Sequence, residues 1–219
     1  MKTLAAVVLL GASAWYLRQR HQGGAGASAT ARARSLRSPL VRLAEQLGIT
    51  TARGRRAAQW AAGAAGEKAT ADRLAPLALE GWTVLHDRAL PVGAANVDHL
   101  LVSPAGVVIV LDSKKWSARW PLRVRAGRLL HGTCDVTPRL RGVRHEATVV
   151  AQVLECSAVA MVSMDGPSLE GGELVVEGVR IVAAERAVPA LRTAARRHRA
   201  TVPHPGQRAA RLFPAYRRK

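Results

Sequence analysis

The chain is short of aromatics, acids, cysteines and long apolar runs. One Phe, two Tyr and five Trp are all the aromatic side chains in 219 residues, so any core must be built from aliphatic residues, with Ala and Val supplying much of it. The two cysteines, Cys134 and Cys156, have no C-x-x-C spacing and no His cluster nearby. That argues against a structural zinc site and a disulfide framework, and fits free thiols in a reducing compartment. No internal repeat is visible, which excludes a repeat architecture. The most membrane-like stretch, from Thr3 to Leu17, is uncharged but shorter than the roughly 20 residues of a usual span.

Acids are the scarcest class relative to their opposites: 15 Asp and Glu stand against 33 Lys and Arg, a net charge of +18. Such an excess points to nucleic acid or an anionic membrane surface. Its distribution refines the reading. Residues 1–65 hold ten Lys/Arg and one acid, Glu45; residues 192–219 hold nine Lys/Arg and no acid; residues 66–191 hold 14 of each sign. Averaged this way, the centre is neutral and the flanks carry the excess.

The N-terminal apolar stretch has two readings. Lys2 followed by Ala12-Ser13-Ala14 resembles a signal peptide with a cleavage site, which would make the protein secreted. Trp15 and Tyr16, followed by Arg18 and Arg20, resemble an interfacial belt and a basic stop, which would make residues 1–20 an anchor. The heavier positive charge after the stretch favours the anchor, as a transmembrane or membrane-associated helix with the rest of the chain in the cytoplasm. Residues 21–59 read as a basic, Ala/Gly-rich segment, with flexible linker over 22–34 and a short helix begun by Ser38-Pro39. Residues 60–199 read as the folded domain and 200–219 as a basic tail.

Within the domain, Gly66 to Leu79 reads as a helix with Pro76 as a possible kink point, and Trp82 to Leu90 as a strand. Pro138 to Cys156 repeats apolar residues at three and four and reads as a long helix. Ala158 to Met164 reads as a buried strand, 173–183 as a hairpin and Ala187 to Arg199 as a last helix. This order predicts an α/β sandwich with a mixed central sheet. Trp82 and Trp120 are expected in its core.

The most informative stretch is Asn-Val-Asp-His-Leu-Leu-Val-Ser (96–103), Pro-Ala-Gly (104–106) and Val-Val-Ile-Val-Leu-Asp-Ser-Lys-Lys-Trp (107–116). Two β-rich runs around a short Pro/Gly loop predict a hairpin. With a loop of residues 104–106, Ser103 faces Val107 and Asp98 falls opposite Asp112; the period of two adds Lys114 to the same face. Opposed carboxylates in an apolar hairpin are costly. A divalent cation would remove the cost, while an Asp112–Lys114 ion pair is the alternative. His99 points to the other face and reads as a hydrogen-bonded core histidine.

Gly-Ala-Ala-Gly-Glu-Lys (63–68), Val-Leu-His-Asp (84–87), Asn-Val-Asp-His (96–99) and Asp-Ser-Lys-Lys-Trp (112–116) together resemble the nuclease-related domain, NERD, of the PD-(D/E)-x-K restriction-endonuclease-like superfamily. The resemblance covers roughly residues 60–155. It implies a restriction-endonuclease-like α/β/α sandwich and Mg²⁺- or Mn²⁺-dependent hydrolysis of DNA or RNA, with no organic cofactor. It further implies that Asp98, Asp112 and Glu67 bind the metal, and that Lys114 positions the attacking water or stabilises phosphate charge.

Overall fold

The computed structural model of the protein describes residues 24–91, 93, 95–200, 202 and 205–216. Helices α1 (Ala27–Leu36), α2 (Pro39–Gln46) and α3 (Ala52–Leu79) are followed by strands β1 (Thr83–Ala89), β2 (Asn96–Val102) and β3 (Val108–Lys115). A small excursion then forms β4 (Leu122–Arg125), β5 (Arg128–His131) and β6 (Cys134–Asp135). A 3₁₀ turn at Thr137–Leu140 leads into α4 (Arg141–Leu154), and then come β7 (Ala158–Asp165), β8 (Glu173–Val176), β9 (Val179–Ala183), α5 (Ala187–Arg197) and α6 (Pro205–Leu212).

The fold is a mixed α/β architecture. Six strands in the order β1-β2-β3-β7-β9-β8 make the central sheet, and β4-β5-β6 make a separate three-stranded sheet. β3, β7 and β9 run parallel, while β1, β2 and β8 are antiparallel to their neighbours. Helices cover both faces, which explains why the central strands are apolar on both sides. On one face Leu100, Val102, Val108 and Val110 pack with Val143, Val150 and Leu154 of α4. On the other, Leu101, Ile109 and Leu111 pack with Leu74 and Leu77 of α3 and Leu191 of α5. Each such aliphatic side chain contributes roughly 1.5–3 kcal/mol on full burial.

The β2–β3 hairpin has the predicted register. Ser103 N–H donates to Val107 O at 2.9 Å, and His99 pairs with Leu111, Leu100 with Val110 and Leu101 with Ile109. The ladder ends there, one pair short of Asp98 and Asp112.

Four expectations change. The stretch expected to be linker contains α1, whose Ser28, Ala29 and Ala33 are buried, and α1 packs along α3. The approach is close: at Gly26 (φ 74°) a Cβ would lie 2.7 Å from Ala64 O. Small residues carry this packing, so no hydrophobic stripe announces it. Second, α3 runs unbroken from Ala52 to Leu79 through Pro76, across the domain start expected at residue 60. Third, part of the expected C-terminal tail belongs to the core: Ala209 and Phe213 are fully buried, and Ala89 N–H donates to Pro214 O. Fourth, Trp82 is buried as expected, but Trp120 is 51% exposed. No helix among the described residues is long and apolar enough to cross a membrane; the stretch read as an anchor, residues 1–20, lies outside them.

Candidate functional site

The polar groups of the β2–β3 hairpin gather where its ladder ends. Asp98, Asp112 and Lys114 share the face that packs on α4. Lys114 Nζ lies 2.5 Å from Asp112 Oδ2, the ion pair weighed as the alternative to a metal. Asp98 Oδ2 accepts from Ser113 N–H at 3.0 Å. Its carboxyl is held well above the usual range, first by burial and then by the charges of Asp112 and Glu67. Burial alone would lower the Lys114 ammonium, but Asp112 outweighs it and the net shift is upward. The ordinary reading of such opposed shifts is one unit of positive charge facing more carboxylate than it can neutralise.

Glu67 enters from α3. It is 8% exposed, and its carboxyl is pushed up to about 7 by burial and by Asp87 and Asp112. One interaction opposes this, the backbone N–H of Gly26. Its Oε2 is buried with no hydrogen-bond partner. A buried carboxylate oxygen without a donor costs on the order of 1–3 kcal/mol, a cost that a cation beside it would offset.

A fourth acid was not singled out in the sequence. Glu146 of α4 is half-buried and raised to about 8, first by burial and then by Asp112, with Lys114 opposing. Its signal was faint but present: it is the only acid in α4 and borders the buried stripe Val143, Ala147 and Val150.

Hard oxygen donors of this kind suit Mg²⁺ or Mn²⁺, and the orphaned Glu67 Oε2 fits such an ion. The arrangement is not a closed cage. Among the described residues, no three His, Cys, Asp or Glu side chains form a group that could hold a metal ion as they stand. Asp112 is turned to Lys114, Asp98 to Ser113 N–H and Glu67 to Gly26 N–H.

The opposite face of the same strand end differs. His99 is fully buried, with Nδ1 2.8 Å from His86 Nδ1 and Nε2 2.9 Å from Ser113 Oγ. For two Nδ1 atoms to share one proton, one must carry it and the other must accept, so both rings cannot be charged. Burial, reinforced by Arg88, holds His86 down at about 4; burial and His86 hold His99 well below its usual value. This is the core histidine the sequence predicted.

Asp87, the last residue of the Val-Leu-His-Asp motif, has a role that the motif did not assign. It is fully buried at φ 47° and accepts from Ser28 N–H at 2.7 Å and Asn96 Nδ2 at 2.6 Å. Burial raises its carboxyl in spite of these donors and of Ala27 N–H. α1 has no side-chain cap of its own; Asp87 caps it from β1, charge facing the positive helix end. Its carbonyl accepts from Tyr216 N–H at 2.8 Å. One residue thus ties both flanking segments to the sheet.

Outside the C-terminal ends of β7 and β9 lies an open cleft of about 910 Å³ lined in part by Asp165, Arg186, Thr193 and Arg197. Lys115 Nζ reaches Asp165 Oδ2 at its edge, at 3.2 Å, but Glu67, Asp98, Asp112 and Lys114 do not line the cleft. The C-terminal edge of parallel strands is where α/β sheets usually bind ligands.

Residues 62–155 match the family model of the nuclease-related domain. That span contains Glu67, Asp98, Asp112, Lys114 and Glu146. No curated protein and no solved structure gave a match.

Proposed function

The chain carries a nuclease-related domain over residues 62–155, and from that premise we infer that it is a metal-dependent nuclease hydrolysing phosphodiester bonds of DNA or RNA. The observation that carries the reading is the meeting of Asp98, Asp112 and Glu67 with Lys114, where Glu67 Oε2 is buried without a partner. Asp98, Asp112 and Glu67 would hold Mg²⁺ or Mn²⁺, which when bound polarises the phosphate and lowers the pKa of a bound water. Lys114 supplies a fixed positive charge for the developing charge on phosphate, held in place by Asp112. Ser113 N–H orients Asp98, and the packing of α3 against β3 orients Glu67. Glu146 extends the acidic wall on the α4 side.

The assay is cleavage of labelled single- and double-stranded DNA and RNA with Mg²⁺ or Mn²⁺. Cleavage by the full chain, abolished in Asp112→Ala with the fold intact, is the expected result. No cleavage of any substrate with either metal would sink the catalytic reading.

A second reading has its own support. Asp112 and Lys114 already satisfy one another, and no closed metal group is formed among the described residues. On that reading the domain is a non-catalytic nucleic-acid-binding scaffold that keeps the nuclease fold. Nucleic-acid binding without cleavage by the full chain would favour it.

We also propose association with an anionic membrane, with the domain facing the cytoplasm. α2 and the turn after it expose Leu40, Leu43, Leu47 and Ile49, beside Arg37 and Arg42. An apolar face flanked by arginines suits a lipid interface. Liposome flotation of the full chain against Leu40→Ser/Leu43→Ser/Leu47→Ser tests it; equal flotation would remove the role of α2.

A further inference from the structure

The neutral centre of the chain is not evenly neutral. Residues 114–144 contain nine Lys/Arg and a single acid, Asp135. That stretch is the end of β3, the three-stranded β4-β5-β6 sheet and the start of α4, so the basic charge is gathered beside the acid cluster. Part of it is paired: Lys114 with Asp112, Lys115 with Asp165, Arg125 with Glu170, Arg128 with Asp135 and Arg144 with Glu177. Arg119 and Arg139 instead lie over indole rings. The Arg139 guanidinium is 5.0 Å from the Trp116 ring centroid, and that of Arg119 is 5.4 Å from the Trp120 ring centroid.

The two tryptophans differ: Trp116 packs half-buried against the core, whereas Trp120 stands at the surface. Trp116 continues the row Asp112, Lys114 on the same face of β3, each step of two residues being about 6.6 Å, and its N–H extends the ladder to Asp165 O. It is half-buried between Arg139 and His131, whose ring centroid is 5.7 Å away. Trp120 is 51% exposed. Its base lies close to Gly132, where a Cβ would come within 3.1 Å of Cγ. A larger residue at 132 would crowd the indole.

We propose that exposed Trp120, with Arg119 beside it and Arg139 on the buttressing Trp116, is a stacking site for a base of single-stranded nucleic acid running past the acid cluster. This rests on the nuclease reading for its biological sense, though not for its test. The chemistry is specific to that partner: an aromatic face accepts any unpaired base, arginine contacts the phosphates, and a paired duplex hides its base faces from both. In this arrangement an unpaired base stacks on Trp120, and Trp116 holds Arg139 in place beside the strand.

The test is fluorescence anisotropy of labelled 12-mers of oligo-dT and oligo-rU, and of a blunt duplex of the same length, with the full chain in EDTA. Without metal there is no cleavage, so failure of the nuclease reading leaves this measurement intact. The expected result is tighter binding of the single strands than of the duplex, weakened about tenfold in Trp120→Ala and largely restored in Trp120→Phe. Trp60→Ala, which removes the half-exposed indole on α3, leaves binding unchanged. Whether dT or rU binds more tightly names the preferred strand. Equal binding by Trp120→Ala and wild type, or an equal loss in Trp60→Ala, overturns the proposal, as does a duplex that binds as tightly as the single strands.

Discussion

Asp98 and His99 are neighbours in β2 that face opposite ways, and the polar groups around them are organised on opposite principles. On the His99 side, His86, His99 and Ser113 form a chain in which neutral rings hydrogen-bond to each other and to a hydroxyl. On the Asp98 side, the Lys114 ammonium feels Asp112, Asp98 and Glu146 but contacts Asp112 alone; the carboxyls of Asp98, Glu67 and Glu146 are raised, and Glu67 Oε2 has no partner. Both sets cost desolvation. Only the first recovers it within the fold. A buried network that closes is a structural element, and one left open carries a cost that proton uptake or a bound cation reduces.

The largest effect that would break this comparison is on activity. Asp98→Asn or Glu67→Gln should lower Mg²⁺-dependent cleavage by about 10³-fold or more, while thermal unfolding shows equal or higher stability because like charges have been removed. A variant that cleaves normally would move the site elsewhere.

The next effect falls on the closed side. His99→Phe leaves His86 Nδ1 and Ser113 Oγ without their partner and should cost about 3 kcal/mol of unfolding free energy in urea. The histidines also set an acid limb. His86 is lowered in the folded state to about 4, so the unfolded chain binds more protons below about 6.5. Stability is therefore full above that value and falls as pH drops toward 4.

A smaller loss is expected at the cap. Asp87→Ala should cost about 2 kcal/mol and speed proteolysis within 24–36, because α1 loses its only cap. Unchanged proteolysis would mean that packing on α3 suffices to hold it.

The smallest effect is a pH dependence of the open side. Glu146 has a folded value of about 8 against 4.5 for the free side chain. The folded state then holds a proton that the unfolded state releases, so stability falls as pH rises from about 4.5 to 8 and is flat above. Glu146→Gln should raise unfolding free energy at pH 9 by about 1–2 kcal/mol and change little below pH 4.5. An equal gain at both pH values would show that its charge is not the cause.

Much of the site was legible before the fold was known, because a hairpin loop fixes register and register fixes faces. Pro104-Ala105-Gly106 placed Ser103 against Val107, and alternation then put Asp98, Asp112 and Lys114 together. Glu146 was not legible: a single acid beside an apolar stripe looks like the edge of any amphipathic helix, and its distance from Asp112 depends on how α4 returns over the sheet. α1 and the segment around Phe213 were hidden by composition. Ala-rich, Arg-rich sequence resembles a solvated tail, and close packing of alanines leaves no strong hydrophobic period. The neutral charge averaged over residues 66–191 concealed the basic run over 114–144: acids elsewhere cancel it in the sum, and in space they pair only part of it, leaving Arg119 and Arg139 over indole rings.

If the open acid cluster binds metal and the closed histidine chain does not, isothermal titration of Mg²⁺ into the full chain at pH 8 gives a binding isotherm that disappears in Asp98→Asn/Asp112→Asn and persists in His86→Gln. No Mg²⁺ binding by the wild-type chain, or binding that survives loss of both aspartates, would contradict that assignment.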